Sequence, residues 1–220
     1  MTRSPFVPKF SDLPADLPVF PLPGAVVMPG VQLPLNIFEP RYLNMVQDAL
    51  AAEHLIGMVQ PLSRDEDENA PRLHRVGCAG RITSYSETND GRIILVLTGV
   101  CRFEIVEELE PRRGYRHVRP DWERFTIDYH AEENTLGDRD SFVESLKAYS
   151  RLRGVEIPWD DIKSMNDADL VDLLCTHLPL PPDDKQALIE TIGLTDRADL
   201  MQGLMDMSSV SSVEGVEQRH

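Results

Sequence analysis

Apolar residues between positions 17 and 37 come in short runs broken by Pro18, Pro21, Pro23, Pro29 and Pro34. Proline has no N–H to give to a sheet ladder and is confined to strand starts, edges and bulges, so the pattern predicts short, bent strands and excludes a long helix. Gly24 and Gly30 supply the turns between them. At Pro40 the period changes. Tyr42, Leu43, Val46, Ala49 and Leu50 recur at helical spacing, and proline is tolerated in a first helical turn, so one amphipathic helix is expected over 39–53. A strand over 55–59 follows.

The stretch 75–123 reads as antiparallel β. Strand-like runs at 76–86 and 92–98 flank Thr88, Asn89, Asp90 and Gly91, a strong hairpin signal. Gly99 is expected to turn the chain into a strand at 101–108, where Cys101, Phe103 and Ile105 alternate with polar or charged neighbours. A turn at 111–114 leads into a last strand at 115–123. No helix interrupts this region, so a small curled or barrel-like sheet fits better than a βαβ arrangement.

After about residue 129 the period becomes helical. Phe142, Val143, Leu146 and Tyr149 form a stripe within 138–153, with Gly154 as terminator. Asn166 is placed to cap a helix whose apolar face holds Leu170, Val171, Leu174, His177 and Leu178. Pro179, Pro181 and Pro182 end that helix and start another with Leu188, Ile189 and Ile192. Thr195 is expected to cap the last, which carries Leu200, Met201, Leu204 and Met205. Short loops favour an antiparallel bundle of about four helices. The organisation expected is a loose arm at 1–13, a β domain at 14–128, a helical bundle at 129–207 and a flexible tail at 208–220.

Charge sharpens this division. Of the net −15, residues 1–120 contribute −2 (13 Lys/Arg against 15 Asp/Glu) and residues 121–220 contribute −13 (9 against 22). A half that acidic repels phosphate backbones, so nucleic acid is disfavoured as a partner. No stretch approaches the roughly 20 apolar residues of a membrane helix, and the N-terminus lacks a signal-peptide pattern. Cys78, Cys101 and Cys175 are far apart and belong to no Cys-x-x-Cys pair, as reduced core residues of a cytoplasmic protein would be.

Catalytic patterns are missing. The chain has no P-loop, no dinucleotide fingerprint, no His-Glu-x-x-His and no Gly-x-Ser-x-Gly elbow. The six histidines are scattered without metal-ligand spacing, and His177 is expected to be a satisfied core residue. The acids Asp65, Glu66, Asp67 and Glu68 lack the spaced oxygens and glycine of a calcium loop. Ser145 and Lys147, two apart on a helix, point in different directions and form no dyad. Neither catalytic residue, cofactor nor metal ligand is assigned. Arg112, Arg113, Arg116 and Arg119 lie near Tyr115 and Trp122, residue types that hold phosphates and stack bases. The plainer alternative is a sheet edge kept soluble by alternating charge.

The most specific stretch is LPVFPLPGAVVMPGVQLPLNIFEPRY over 17–42. It resembles the opening of the Lon protease N-terminal domain, where an L-P-L run leads through V-x-x-P-G to a second L-P-L and a short helix. The segment 36–42 is similar to the stand-alone bacterial members of that family. IGMV over 56–59, VGCAGRI over 76–82, LTGVCRF over 97–103 and DDKQALIE over 183–190 resemble its later elements.

The resemblance implies an α+β fold: a PUA-like, mostly antiparallel β pseudo-barrel with one helix, followed by a C-terminal helical bundle. It also implies a non-catalytic module that recognises unfolded or degron-bearing protein segments, or a protease or chaperone. Such a module would act as an adaptor or regulator in protein quality control, as a monomer or weak homo-oligomer. The chain stops before the family's ATPase and Ser–Lys peptidase parts, so peptidase activity is not expected. Phe20, Met28 and Phe38 are the candidate peptide contacts. The alternatives are RNA binding through Arg112, Arg113, Arg116 and Arg119, and a small-molecule enzyme with an unrecognised site.

Overall fold

The computed structural model describes residues 7–62, 71–130 and 136–217, with side chains through residue 208. Six strands form one sheet: β1 (Leu17–Pro21), β2 (Gln32–Ile37), β3 (Leu55–Val59), β4 (Val76–Glu87), β5 (Ile93–Arg112) and β6 (Tyr115–Asp121). Helix α1 (Pro40–Leu50), with proline in its first turn, sits between β2 and β3 and buries Tyr42, Met45, Val46 and Ala49. The helical half contains α2 (Arg139–Arg153), α3 (Trp159–Ser164), α4 (Asp167–His177), α5 (Pro182–Glu190) and α6 (Leu194–Glu217).

Strand β1 pairs parallel to β3 and antiparallel to β6. Antiparallel pairs β3–β4, β4–β5 and β5–β6 complete a closed ring of five strands. Closure leaves no bare edge in the ring. Strand β2 stands outside it, added to the first half of β5 from Gln32↔Thr98 to Ile37↔Ile93. Pro34 lies opposite Val96, whose carbonyl accepts the Thr83 hydroxyl of β4 at 3.2 Å. The Val96 carbonyl therefore points away from β2. The Pro34 nitrogen faces the open edge, where no ladder bond is lost.

Several boundaries differ from the sequence reading. Gly99 does not turn the chain; β5 runs unbroken for 20 residues. Ala79 pairs with Cys101 and Gly80 with Gly99, which leaves Val100 as a bulge. Here β5 crosses the β1–β2 connection so closely that a Cβ on Gly99 would sit 2.0 Å from the Met28 carbonyl oxygen. Bulge and glycine let the strand bend around that crossing. The last strand ends at Asp121, and Glu123–Tyr129 forms a 3₁₀ turn instead. Helix α3 was not foreseen, because six residues are too few to show a period. Helix α6 starts at Leu194, placing Thr195 inside its first turn. Its helical backbone reaches Glu217, past the last apolar period in the sequence.

Helix ends follow local chemistry. Asp138 accepts the Ser141 N–H at 2.9 Å, Asn166 accepts that of Asp169 at 2.8 Å, and Gly154 closes α2 in the left-handed region at φ 65°. One core runs through both halves, from Phe103 and Val118 through Phe125 to Phe142, Leu174 and Met201. Cys78, Cys101 and Cys175 are buried free thiols within it. Burial raises the Cys78 pKa well above that of a free thiol and that of Cys175 to about 12, which holds both as unreactive S–H groups. His177 is not a core residue: it lies exposed at the end of α4. The acids at 65–68 lie outside the described residues.

A buried polar seam joins the halves. The Arg102 side chain is 1% exposed, and its guanidinium donates to Asp128 at 2.7 Å and to the carbonyls of Ile189, Thr191 and Ile192 at 3.2, 2.6 and 3.2 Å. Gln60 accepts the Gly24 N–H at 2.8 Å and donates to Pro182 and Gln186; Gln186 donates to the Val76 carbonyl. The Thr176 hydroxyl accepts the Met28 N–H at 3.2 Å. Behind Arg102, half-buried Asp172 lies 3.2 Å from Arg197, close but misaligned for a hydrogen bond. Burial raises the Asp172 carboxyl to about 6, outweighing the pull of Arg197 and Arg102.

Three outcomes follow for stability. Gly99→Ala should lower unfolding free energy in guanidinium titration by about 1–3 kcal/mol, because backbone must move. Arg102→Met strands the Asp128 charge and should cost about 3–5 kcal/mol. Because the folded pKa of Asp172 is raised, the folded state holds a proton that the unfolded state has released between about pH 4 and 6. Its contribution is fully present below that window and is lost as pH rises through it. Urea midpoints of Asp172→Asn, measured across pH 4–7, should lack that part of the wild-type slope.

Candidate functional site

Most of the ring's outer wall is covered by the helical half or by α1. The β2–β5–β4 end is not, nor is the β5–β6 hairpin end, where Val106 is 56% exposed. Alternation places Leu33, Leu35 and Ile37 of β2 inward and Gln32, Pro34 and Asn36 outward. Asn36 pairs with Ile94, and Ile94 with Ser86, so the three share the outer face. Ile94 is 51% exposed there. Phe38, two residues beyond Asn36, continues the same face past the end of β2 and is 61% exposed. The Arg92 guanidinium lies 6.0 Å from the Phe38 ring centroid and also pairs with Asp90 at 3.0 Å. Val96 adds a half-buried apolar step further along β5. The result is an apolar strip beside an open strand edge.

The three candidate peptide contacts are not brought together. Phe20 packs in the core with its ring 4.4 Å from that of Tyr42, and Met28 is wholly buried at the β5 crossing. Phe38 alone presents its ring to solvent. Ile94, which completes the exposed strip, is missed in the sequence because its apolar neighbours Ile93 and Leu95 mask its outward position. The signal was present in the strand alternation: Ile93, Leu95 and Leu97 face in, so Ile94 must face out.

The basic cluster is charge-balanced. Arg112 pairs with Asp16 at 2.6 Å, Arg113 with Asp48 at 2.5 Å, Arg116 with Glu108 at 2.5 Å, and Arg119 with Glu107. Arg113 sits in the β5–β6 turn at φ 46° and also donates to Asn44 of α1. The neighbouring aromatics are engaged as well. Tyr115 is buried and donates to Asp48 at 2.8 Å; burial and that bond push its hydroxyl up to about 12. The Trp122 indole N–H donates to the Pro14 carbonyl at 3.0 Å, and its ring packs edge-on against Phe103. Neighbouring His117 is buried, its pKa lowered by burial and by Arg112. β6 pairs with both β1 and β5, so this is no sheet edge but a solvated face of the β5–β6 hairpin held by ion pairs.

Ser145 and Lys147 form no dyad. Lys147 pairs with Glu144 at 2.6 Å, while the Ser145 hydroxyl accepts from Gln202 at 3.3 Å, so the two serve different contacts. Among the described residues no group of three or more His, Cys, Asp or Glu gathers closely enough to hold a metal ion. No helix among them is long and apolar enough to cross a membrane.

Comparison with known proteins gives this architecture its family. Residues 16–207 match the family described as the ATP-dependent protease La (LON) substrate-binding domain, and the chain belongs to that family. It is similar to Lon protease 2 of Myxococcus xanthus, 28% identical over 207 residues that cover 89% of this chain and 24% of that protein. To the Lon protease of Phenylobacterium zucineum it is 30% identical over 199 residues, 88% of this chain and 25% of the other. The chain thus spans about a quarter of the length of these relatives.

Among solved structures, the fold is shared with a Lon N-terminal domain protein from Xanthomonas campestris (TM-score 0.60, 22% identity, 86% of this chain and 97% of that one). It is also shared with the N-terminal domain of Lon protease from the Mycobacterium avium complex (TM-score 0.63, 18% identity, 87% and 98%).

With every guanidinium of the basic cluster paired, a labelled single-stranded RNA of twenty nucleotides should show no salt-dependent binding in anisotropy titrations between 20 and 200 mM salt. Arg112→Ala with Arg113→Ala should leave that result unchanged.

Proposed function

We propose that this chain is a non-catalytic recognition module that binds extended, apolar segments of unfolded or degron-bearing proteins. In that capacity it serves as an adaptor or regulator in protein quality control. The observation that carries the reading is the exposed strip of Phe38 and Ile94 beside the open edge of β2. Single exposed apolar residues are ordinary, but an aromatic and a β-branched residue side by side on one sheet face form a surface that gains by being covered. An extended segment laid along that face would bury both side chains and meet the outward backbone of β2. Pro34 withholds one donor from that edge, which limits how long a ladder can grow and favours side-chain contact over open-ended strand addition. The membership of a substrate-binding domain family supports the same reading.

Titration with fluorescently labelled, reduced and carboxymethylated α-lactalbumin tests it. Wild-type protein should bind. Phe38→Ser combined with Ile94→Ser should weaken binding at least about fivefold, in line with the loss of roughly 1–3 kcal/mol of apolar burial, while the melting temperature stays within a few degrees. Equal binding by the double variant, or none by the wild type, would overturn the proposal.

A further inference from the structure

A second surface with different chemistry lies at the far end of α2. Gly154 stops the helix, the Val155 N–H returns to the Ser150 carbonyl at 2.9 Å, and Pro158 starts α3 at Trp159. Trp159 is thereby set against the last turns of α2 across a shallow groove of about 640 Å³, lined by Ser150, Arg151, Val155, Ile157 and Trp159. A smaller hollow of about 250 Å³ continues from it between Trp159 and the stems of Lys147 and Arg151. The smaller hollow is apolar. The rim offers hydrogen-bond donors.

Arg151 differs from the other described cations of the acidic half, among which Arg124 pairs with Glu104. Arg139, Lys147, Lys163 and Arg197 each face a carboxylate. Lys185 is buried on the Thr176 carbonyl, and Arg153 lies over the Tyr149 ring. Arg151 hydrogen-bonds only through its Nε, which donates to the Lys147 carbonyl at 3.1 Å, while its charge, after Lys147, helps hold the nearby Glu144 carboxyl below its usual range. Its two terminal nitrogens have no partner among the described residues, and neither has the Trp159 indole N–H. A cation at a helix C-terminus is favourable there, but that role does not engage the terminal nitrogens. A guanidinium fork with both prongs free, beside an indole N–H and an apolar hollow, matches a carboxylate attached to an apolar body.

We infer that this groove docks a short apolar peptide segment carrying a single carboxylate side chain. The carboxylate sits on the Arg151 fork, and the neighbouring aromatic or leucine side chain lies against Trp159 and Ile157. The limit to one carboxylate follows from electrostatics. The chain carries a net −15, and Glu156 stands exposed on the lip of the groove, so a multiply acidic partner is repelled before it reaches Arg151. The site is separate from the β2–β5 strip and takes a different ligand feature, so either can fail without the other.

The test uses the full chain and a tetramethylrhodamine-labelled, amidated hexapeptide, Gly-Leu-Phe-Glu-Leu-Gly, with Gln and Lys replacing Glu in two companion peptides. In anisotropy titrations the Glu peptide should bind about tenfold or more tightly than the Gln peptide, the usual worth of one charge-assisted fork. The Lys peptide should be weakest. Arg151→Gln should abolish the Glu-over-Gln preference, and Trp159→Ala should weaken both. As Arg151 is exposed, thermal melting confirms that its variant is folded. Amide shifts on titration should map to 147–159. Equal binding of the three peptides, a preference that survives Arg151→Gln, absence of binding, or shifts confined to the β2–β5 face would each overturn the inference.

Discussion

The Arg102 guanidinium is the interaction on which the arrangement of the two halves depends. All five of its N–H donors are used, two or more on Asp128 and the rest on three carbonyls where α5 ends and α6 begins. A buried cation left short of partners costs several kcal/mol, so these partners are obligatory. Those carbonyls are in turn the ones that a helix end leaves without intrahelical donors. A strand of the ring therefore caps a helix of the bundle, and the 3₁₀ turn supplies the counter-charge between them. The Gln60–Gln186 and Met28–Thr176 bonds fix the same docking at two further points. The helices thus form much of the outer wall of the ring, while the β2 end and the β5–β6 hairpin end, where Val106 is 56% exposed, are left bare.

That relation explains what could and could not be read from the sequence. Strand order along the chain, the helix at Pro40, the hairpin at Asn89 and Gly91, the terminator Gly154 and the cap at Asn166 are legible because each depends on residues close together in sequence. Gly99 was misread because its requirement comes from Met28, about seventy residues earlier. Alternation assigned Cys101, Phe103 and Ile105 inward and left Arg102 outward as a solvent residue. It does point outward from the ring, but the bundle covers that side. Phe20 and Met28 look like surface candidates in a proline-rich segment, yet they are core because α1 covers Phe20 with Tyr42 and β5 crosses over Met28 at Gly99. Arg112 to Arg119 look like a basic patch only until Asp16, Asp48, Glu107 and Glu108 are placed beside them.

The two exposed surfaces differ in what they can discriminate. The Phe38–Ile94 strip offers apolar area and backbone edge, which distinguish extended apolar chain from folded surface but read little sequence. The Arg151–Trp159 groove offers directional donors, and directional hydrogen bonding rejects a wrong group far more sharply than apolar contact does. A domain with both would combine broad capture with a local choice among segments. Neither surface requires a moving part.

Strand β5 carries Ile94 near its start and Arg102 eight residues on. At about 3.3 Å per residue the exposed strip and the buried anchor lie at most roughly 26 Å apart along one continuous backbone, shortened by the bend at the Val100 bulge. A strand hydrogen-bonded on both sides does not stretch, so β5 is a ruler that holds this distance constant. A chain captured at Phe38, as proposed, would therefore be held at a set distance from the helical half.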